Sequence, residues 1–385
     1  MDRISVPTVI AAMVFRCFTA GAAPPAVTPL PKHVTPAAAA LIEKALALLA
    51  DQQESTGKWA QETEGGAFSS ATYDMATTCM AGLAFLAHGD TPNRGRYGAH
   101  VSAAVHWVLR HADAKTGVIT TAGDASRPMY GHCFAVLFLS ETAGMDDSEH
   151  VAERVRAVVT AACVVIARAQ SVRGGWSYGF HDGGRWLGIR RMPTDDEGSV
   201  TIHAVQALRA AKNAGIPVDK AIIDRGLRYL RDCQGKDGGL RYRWGSGSAE
   251  SASEPAISAA AYTAWAMCGV YVPKTGGTAC ERAARRCGRF IGRAYGDGLV
   301  PSGVAQYPFY SLLHLAQATW FMGPWNWDRF YPLAREWLLD PSHGFRHNWL
   351  PLWKGDSASG NWVYCTAAAL IILQMPYRNL PIFDR

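Results

Sequence analysis

Asp195, Asp196 and Glu197 form an acidic trio just before an apolar helical run. A carboxyl group taken out of water and set beside other carboxylates resists ionisation, so one of these can stay protonated and act as a general acid. That makes Asp195 and Asp196 the candidate catalytic residues. The plainer alternative is electrostatic, since carboxylates are favoured at a helix start by its dipole. A second set is aromatic and lies at the starts of apolar runs: Tyr73, Tyr130 with His132, His203, Tyr307 with Tyr310, and Trp362 with Tyr364. Trp186 joins them from the loop before the acidic trio, and Asp74, Glu254 and Asp356 stand among them. Gathered around one cavity, such side chains suit a flat or greasy ligand and stabilise cations through their ring faces. A sugar site uses the same residue types, and so does a ring of aromatics that merely plugs a barrel.

Metal chemistry has less to work with. His132, His203, His314 and Cys365 fall within apolar runs but at no ligand spacing, so hydrogen-bonded core roles are expected, with no metal and no cofactor. The nine cysteines include no CxxC pair and set up no disulfide framework. Cys280 and Cys287, seven apart, are the pair closest to metal or redox spacing.

The elements that must position these residues are helices. Apolar segments end at Gly89, Gly144, Gly215, Gly269, Gly323 and Pro376, at intervals of about 54 residues with one of about 71. Most are apolar nearly all round, the pattern of a helix buried on every side, and Gly suits the residue just past a helix end. Between them run segments with one polar face. Residues 221–234 put Ile223, Leu227 and Leu230 on one stripe and Asp224, Arg225, Arg228 and Arg231 opposite, as an outer helix would. Six outer segments alternate with six inner ones. Polar capping repeats are missing, so a closed ring of hairpins is expected rather than an open solenoid.

The junctions carry a sharper pattern. Gln53 to Gly57 to Trp59 and Gln170 to Gly174 to Trp176 both read QxxxGxW, and Gln234 to Gly238 to Leu240 follows it with Leu in the last place. The Gln is expected to satisfy carbonyls at the helix end, the Gly to permit the reversal and the aromatic to cover the junction. In these residues the chain resembles the prenyltransferase and squalene-oxidase repeat family, which includes squalene–hopene cyclases, other terpenoid cyclases and protein prenyltransferases. The resemblance implies an all-α chain forming an (α/α)6 toroid from six helix hairpins with QW-type repeats.

The long interval places its excess between Trp176 and Ser199, a loop holding His181, Asp182, Trp186, Arg190, Arg191 and the acidic trio. Extra residues in a regular array usually map to a functional face. Cyclases of the family protonate an alkene with the central acid of DxDD. Here the matching stretch, Pro193-Thr194-Asp195-Asp196, has no first Asp, and the metal-binding DDxxD is incomplete at Ser199. Protein prenyltransferases hold zinc through an Asp-x-Cys and a His, but Val363 occupies the Asp place before Cys365.

Composition agrees with a large buried core. Of 385 residues 49% are apolar and only 18% charged, while Trp and Tyr number 13 and 14. The net charge of +6 is dispersed. Its densest row, Arg282, Arg285, Arg286, Arg289 and Arg293, follows one helix face and reads as solvated surface, so no nucleic-acid partner is expected. Residues 1–22 fit a signal peptide, with an apolar stretch from Ile4 to Phe15 and a small-residue cleavage site at Ala20-Gly21-Ala22. Residues 23–36 form a Pro/Ala-rich spacer, and 37–385 a single toroid domain. The expected location is exported or periplasmic, otherwise cytoplasmic.

The leading functional expectation is a toroid that binds a non-polar isoprenoid or lipid in its cavity, as a terpenoid cyclase with a degenerate acid motif if it turns anything over. A non-catalytic scaffold outside the cytoplasm and a polysaccharide-processing toroid are the alternatives. The expected partner is a hydrophobic small molecule or lipid; peripheral membrane contact is left open, and the protein partner is unknown, the scaffold alternative binding protein on the toroid rim.

Overall fold

Helices that are apolar on every side need neighbours on every side, and the inner wall of this structure supplies them. The structure, a computed structural model, describes residues 29–60, 73–124, 127–146, 148–182, 185–186, 196–244, 252–272, 275–296, 307–343, 345–347, 350–353 and 362–383. The chain divides into two compact units, Met1–Leu30 and Pro31–Arg385, and the helices belong to the second.

Among the described residues there are twelve α-helices, alternately outer and inner. They are α1 (Pro36–Asp51), α2 (Asp74–His88), α3 (Gly98–Arg110), α4 (Pro128–Glu141), α5 (Glu149–Arg168), α6 (Gly198–Asn213), α7 (Lys220–Asp232), α8 (Pro255–Met267), α9 (Ala279–Tyr295), α10 (Pro308–Phe321), α11 (Pro324–Leu339) and α12 (Trp362–Gln374). In α2, every residue from Met75 to Ala87 is buried. In α7 and α9 only a stripe is buried, led by Ile223, Leu227 and Leu230 in the first and by Ala283, Cys287 and Ile291 in the second.

The even-numbered helices form a closed inner ring, because α2 packs on α4, α4 on α6 and so on until α12 returns to α2. At the seam, Gln374 of α12 donates to the Ala84 carbonyl at 3.0 Å, and Asn379 donates to that of Ala87 at 3.0 Å. The odd-numbered helices surround this ring. The fold is therefore all-α and toroidal, with two short ribbons in its loops, β1 (His181–Asp182) with β2 (Arg185–Trp186) and β3 (Phe345–His347) with β4 (Leu350–Trp353).

The three Gln junctions are stapled alike. The side-chain amide of Gln53 donates to the carbonyls of Gly57 and His100, that of Gln170 to Gly174 and Ile222, and that of Gln234 to Gly238 and Ala283. The Gln therefore reaches past its own helix end, closing the turn and gripping the next outer helix. This departs from the helix-end role expected of it. The carbonyls at its own helix end are already taken by turn amides and, at two junctions, by the indoles of Trp59 and Trp176. Gly174 sits at φ +94°, and a Cβ there would come within 2.6 Å of the Arg225 carbonyl oxygen, so the approach of the outer helices requires glycine. Trp59 and Trp176 lie fully buried, their indole N–H groups donating at 2.7 Å to the Leu49 and Ile166 carbonyls.

Side-chain caps occur only on outer helices among the described residues: Thr35, Ser148, Asp219 and Thr278 cap α1, α5, α7 and α9, and Glu281 completes a capping box in α9, while α3 and α11 start without one. Inner helices α2, α4, α6, α8 and α10 start at Tyr73, Arg127, Glu197, Glu254 and Tyr307 with no side-chain cap. Their amide ends share one mouth of the ring and lend it positive potential.

Candidate functional site

Near the centre of the ring, side chains from α4, α6 and α10 meet. The Tyr130 hydroxyl lies 2.8 Å from Nε2 of His203. The His203 ring packs on Phe134 at 4.7 Å and reaches across to His314 at 5.7 Å and Tyr310 at 6.5 Å between centroids. Tyr310 and His314, four apart on α10, stack edge-on at 4.4 Å. Both positions follow from helical spacing, which aims residues four apart at the same wall.

Electrostatics keeps this cluster neutral. Burial, aided by the neighbouring His314, drives the pKa of His203 well below 6.5, and burial lowers that of His314 to about 4. Burial also raises Tyr130 well above the ordinary phenol value, reinforced by Tyr310, Tyr364, Tyr178 and Tyr242. The Tyr130–His203 bond is thus a phenol donating to a neutral imidazole, with no ion pair. His314 Nδ1 lies 3.1 Å from the Gln317 amide oxygen, but its Nε2 and the Tyr310 hydroxyl are buried without a hydrogen-bond partner. Buried polar atoms are seldom left so.

Above this centre sits a tyrosine rim. Tyr178 and Tyr242 hold their hydroxyls 2.5 Å apart, and the Tyr242 hydroxyl also meets Ser199 at 2.9 Å and Glu197 at 2.9 Å. Arg243 pairs with the other Glu197 oxygen. Arg127 lies 4.6 Å from the Tyr178 ring centroid. Burial works against the Arg127 charge, but Tyr178, Tyr73, Tyr242 and Tyr307 outweigh it and raise its pKa.

Of the residues expected from sequence, Tyr130, His203 and Tyr310 come together at the centre, with Tyr364 close enough to influence Tyr130. Tyr73 and Tyr307 stand near Arg127 at the rim, Tyr307 being 37% exposed, and Trp362 is buried. His132 stands apart, its Nδ1 accepting from the Ile119 amide and its Nε2 donating to the Ala162 carbonyl, which ties the third turn to α5. Asp196 is buried, its carboxylate taking the Ser171 hydroxyl and its carbonyl the Tyr229 hydroxyl at 2.8 Å, so it lies against the junction after α5. Asp195 lies outside the described residues, as do Asp356 and the side chain of Trp186. The Trp186 backbone pairs with His181.

Sequence reasoning missed Tyr178, Tyr242, Arg127 and Asp124. Tyr178 and Tyr242 each stand four residues after the junction glycine, Gly174 or Gly238, so repeat phase alone could have found them. Asp124 is fully buried, with its carboxyl bonded to the Thr121 amide and hydroxyl and set near the Met75 amide at the uncapped start of α2. Burial lifts its pKa to about 6 despite the Thr121 bonds. Among the described residues no three His, Cys, Asp or Glu side chains gather as a metal site. Cys287 is buried, its thiol donating to the Ser258 carbonyl at 3.2 Å, and Cys280 is half-buried. No described helix is long and apolar enough to cross a membrane.

Solved structures share this architecture. The type II terpene cyclase MstE from Scytonema superposes with a TM-score of 0.57 over 89% of this chain and 99% of that one, at 14% identity. A D-mannose isomerase gives 0.57 over 90% and 100%, at 14% identity. The unsaturated glucuronyl hydrolase from Bacillus sp. GL1 gives 0.59 over 88% and 96%, at 12% identity. The chain has the α/α-toroid fold. At these identities the likeness extends to the toroid's path and not to its chemistry, as the different activities of the three show. No protein-family model matches the chain, and no curated protein matches it.

Proposed function

We propose that this toroid binds a largely non-polar ligand of isoprenoid or lipid type, whose polar end is held at the centre by Tyr310 and His314. One observation carries the reading: two buried polar atoms without partners, the Tyr310 hydroxyl and His314 Nε2, stand in a wall of aromatic rings. A ligand hydroxyl or un-ionised carboxyl group there would satisfy both, accepting from the Tyr310 hydroxyl and donating to His314 Nε2, while Tyr130, Phe134 and Tyr364 contact its apolar body. The uncapped inner-helix ends favour an electron-rich polar end. In support, a variant of MstE was solved with geranylgeranyl dihydroxybenzoate as its substrate. For turnover, the proposed acids are Asp195 and Asp196, at the start of the helix that carries His203.

The test is native mass spectrometry and solvent extraction of the purified full chain, followed by titration with geranylgeraniol and a long-chain fatty acid. A co-purifying lipid, or saturable binding that weakens in the Tyr310→Phe and His314→Leu variants, supports the reading. A consistently empty ring that binds neither compound overturns it and favours the scaffold. A carbohydrate reading draws on the rim's hydroxyl array around Tyr178, Tyr242 and Ser199. Stabilisation by an oligosaccharide but by no lipid would favour that reading instead.

A further inference from the structure

The arginine row that reads as solvated surface faces something more specific. Between α7 and α9 lies a groove of about 410 Å³ lined, among the described residues, by Arg231, Ala279, Arg282, Arg285, Arg286 and Arg289. Five guanidinium groups share it, and no described carboxylate lines it.

How these arginines are held matters more than their number. Arg282 donates to the Gly277 carbonyl at 2.5 Å, Arg285 to the Gly276 carbonyl at 2.8 Å and Arg286 to the Gln234 amide oxygen. All three of these acceptors are neutral, so they orient the forks without cancelling their charge. Two nearby acids are engaged elsewhere, Glu281 closing the capping box with the Thr278 amide and Asp237 taking the Ser253 hydroxyl at 2.7 Å. Asp232 pairs at 2.7 Å with Arg231 of the groove itself and offsets that one charge, so the α9 arginines carry the site. A guanidinium has five donors in a fixed fork, and each of these bonds uses one, so a multivalent anion in the groove meets donors already aimed. Grouped cations oriented by neutral partners lower the reorganisation needed to bind phosphate oxygens bidentately.

We propose that the α7–α9 groove binds a phosphate-ester anion, independently of whatever the ring's interior holds. The phosphate can come from a membrane lipid headgroup or from a soluble phosphorylated molecule, and the experiment separates these sources. The full chain is titrated with inorganic pyrophosphate by calorimetry at low and moderate salt. It is also sedimented with phosphatidylcholine vesicles with or without one-fifth phosphatidic acid. The variants are Arg282→Gln with Arg289→Gln, and as a charge control Arg293→Gln, which donates to the Asp237 carbonyl and does not line the groove. Thermal unfolding of each variant checks that it folds as the parent does.

Saturable pyrophosphate binding that falls at least tenfold in the double variant and less than twofold in Arg293→Gln supports a soluble source. Phosphatidic-acid-dependent sedimentation with the same variant pattern supports a lipid source. Equal loss in the control would make the effect one of net charge and overturn the site. So would the absence of saturable binding to either probe.

Discussion

The hydroxyl of Tyr130 on α4 lies 2.8 Å from Nε2 of His203 on α6, a bond between adjacent inner helices at the middle of the ring. Tyr130→Phe keeps the ring but leaves a buried imidazole nitrogen without its donor. The expected cost is about 1–3 kcal/mol, read from the urea midpoint at pH 7.5. A change below about 0.5 kcal/mol would mean that Nε2 finds another partner.

Tyr310→Phe should behave the other way. The hydroxyl it removes has no partner, so the empty protein should lose less than about 1 kcal/mol or gain slightly. Affinity for the bound ligand should fall about tenfold, or ~1.4 kcal/mol. A variant that is destabilised yet binds as tightly as the parent would remove Tyr310 from the site.

The junctions offer a test of the ring itself. Gln170→Ala breaks bonds to Gly174 and Ile222 and frees the Arg225 guanidinium that donates to its oxygen at 2.8 Å. The expected loss is about 1–3 kcal/mol, and Gly174→Ala should cost at least as much, because its φ and the Arg225 carbonyl both oppose a side chain. Thermal unfolding midpoints rank the two.

Stability should fall in mild acid. His132 and His314 titrate near 6.5 when unfolded and near 4 when folded, because burial disfavours their charged forms, and His203 shifts the same way. Their contribution is complete above pH 6.5 and is lost as pH falls toward 4, on the order of 3 kcal/mol for each of His132 and His314. Asp124 runs opposite: its ionisation penalty is full above pH 6 and relieved by pH 3.8, also on the order of 3 kcal/mol. Three losses against one gain leave a net decline between pH 6.5 and 4. Urea unfolding at pH 7.5, 6 and 5 checks the slope, and Asp124→Asn should steepen it.

The period of wholly apolar and one-sided helices was legible because it is a local pattern, and the terminal glycines marked its phase. Gly89, Gly144, Gly215, Gly269 and Gly323 all take positive φ. The site was legible only in part. Helix starts identify which residues share a mouth, so Tyr130, His203 and Tyr310 could be grouped in advance. Rotation about the helix axis decides which of them face the centre, and two residues from Tyr130 that rotation turns His132 into the wall. Asp124 gave no signal, because its burial depends on a short 3₁₀ turn packing against α2, a contact between distant parts of the chain.

The seam where Gln374 and Asn379 reach Ala84 and Ala87 joins segments about 290 residues apart. Until the ribosome has made α12, one flank of α2 has no lasting companion, although almost all of its surface demands one. A nascent ring must therefore keep an adhesive edge open for most of its synthesis, which makes the last helix a lock on everything made before it and premature termination a route to aggregation.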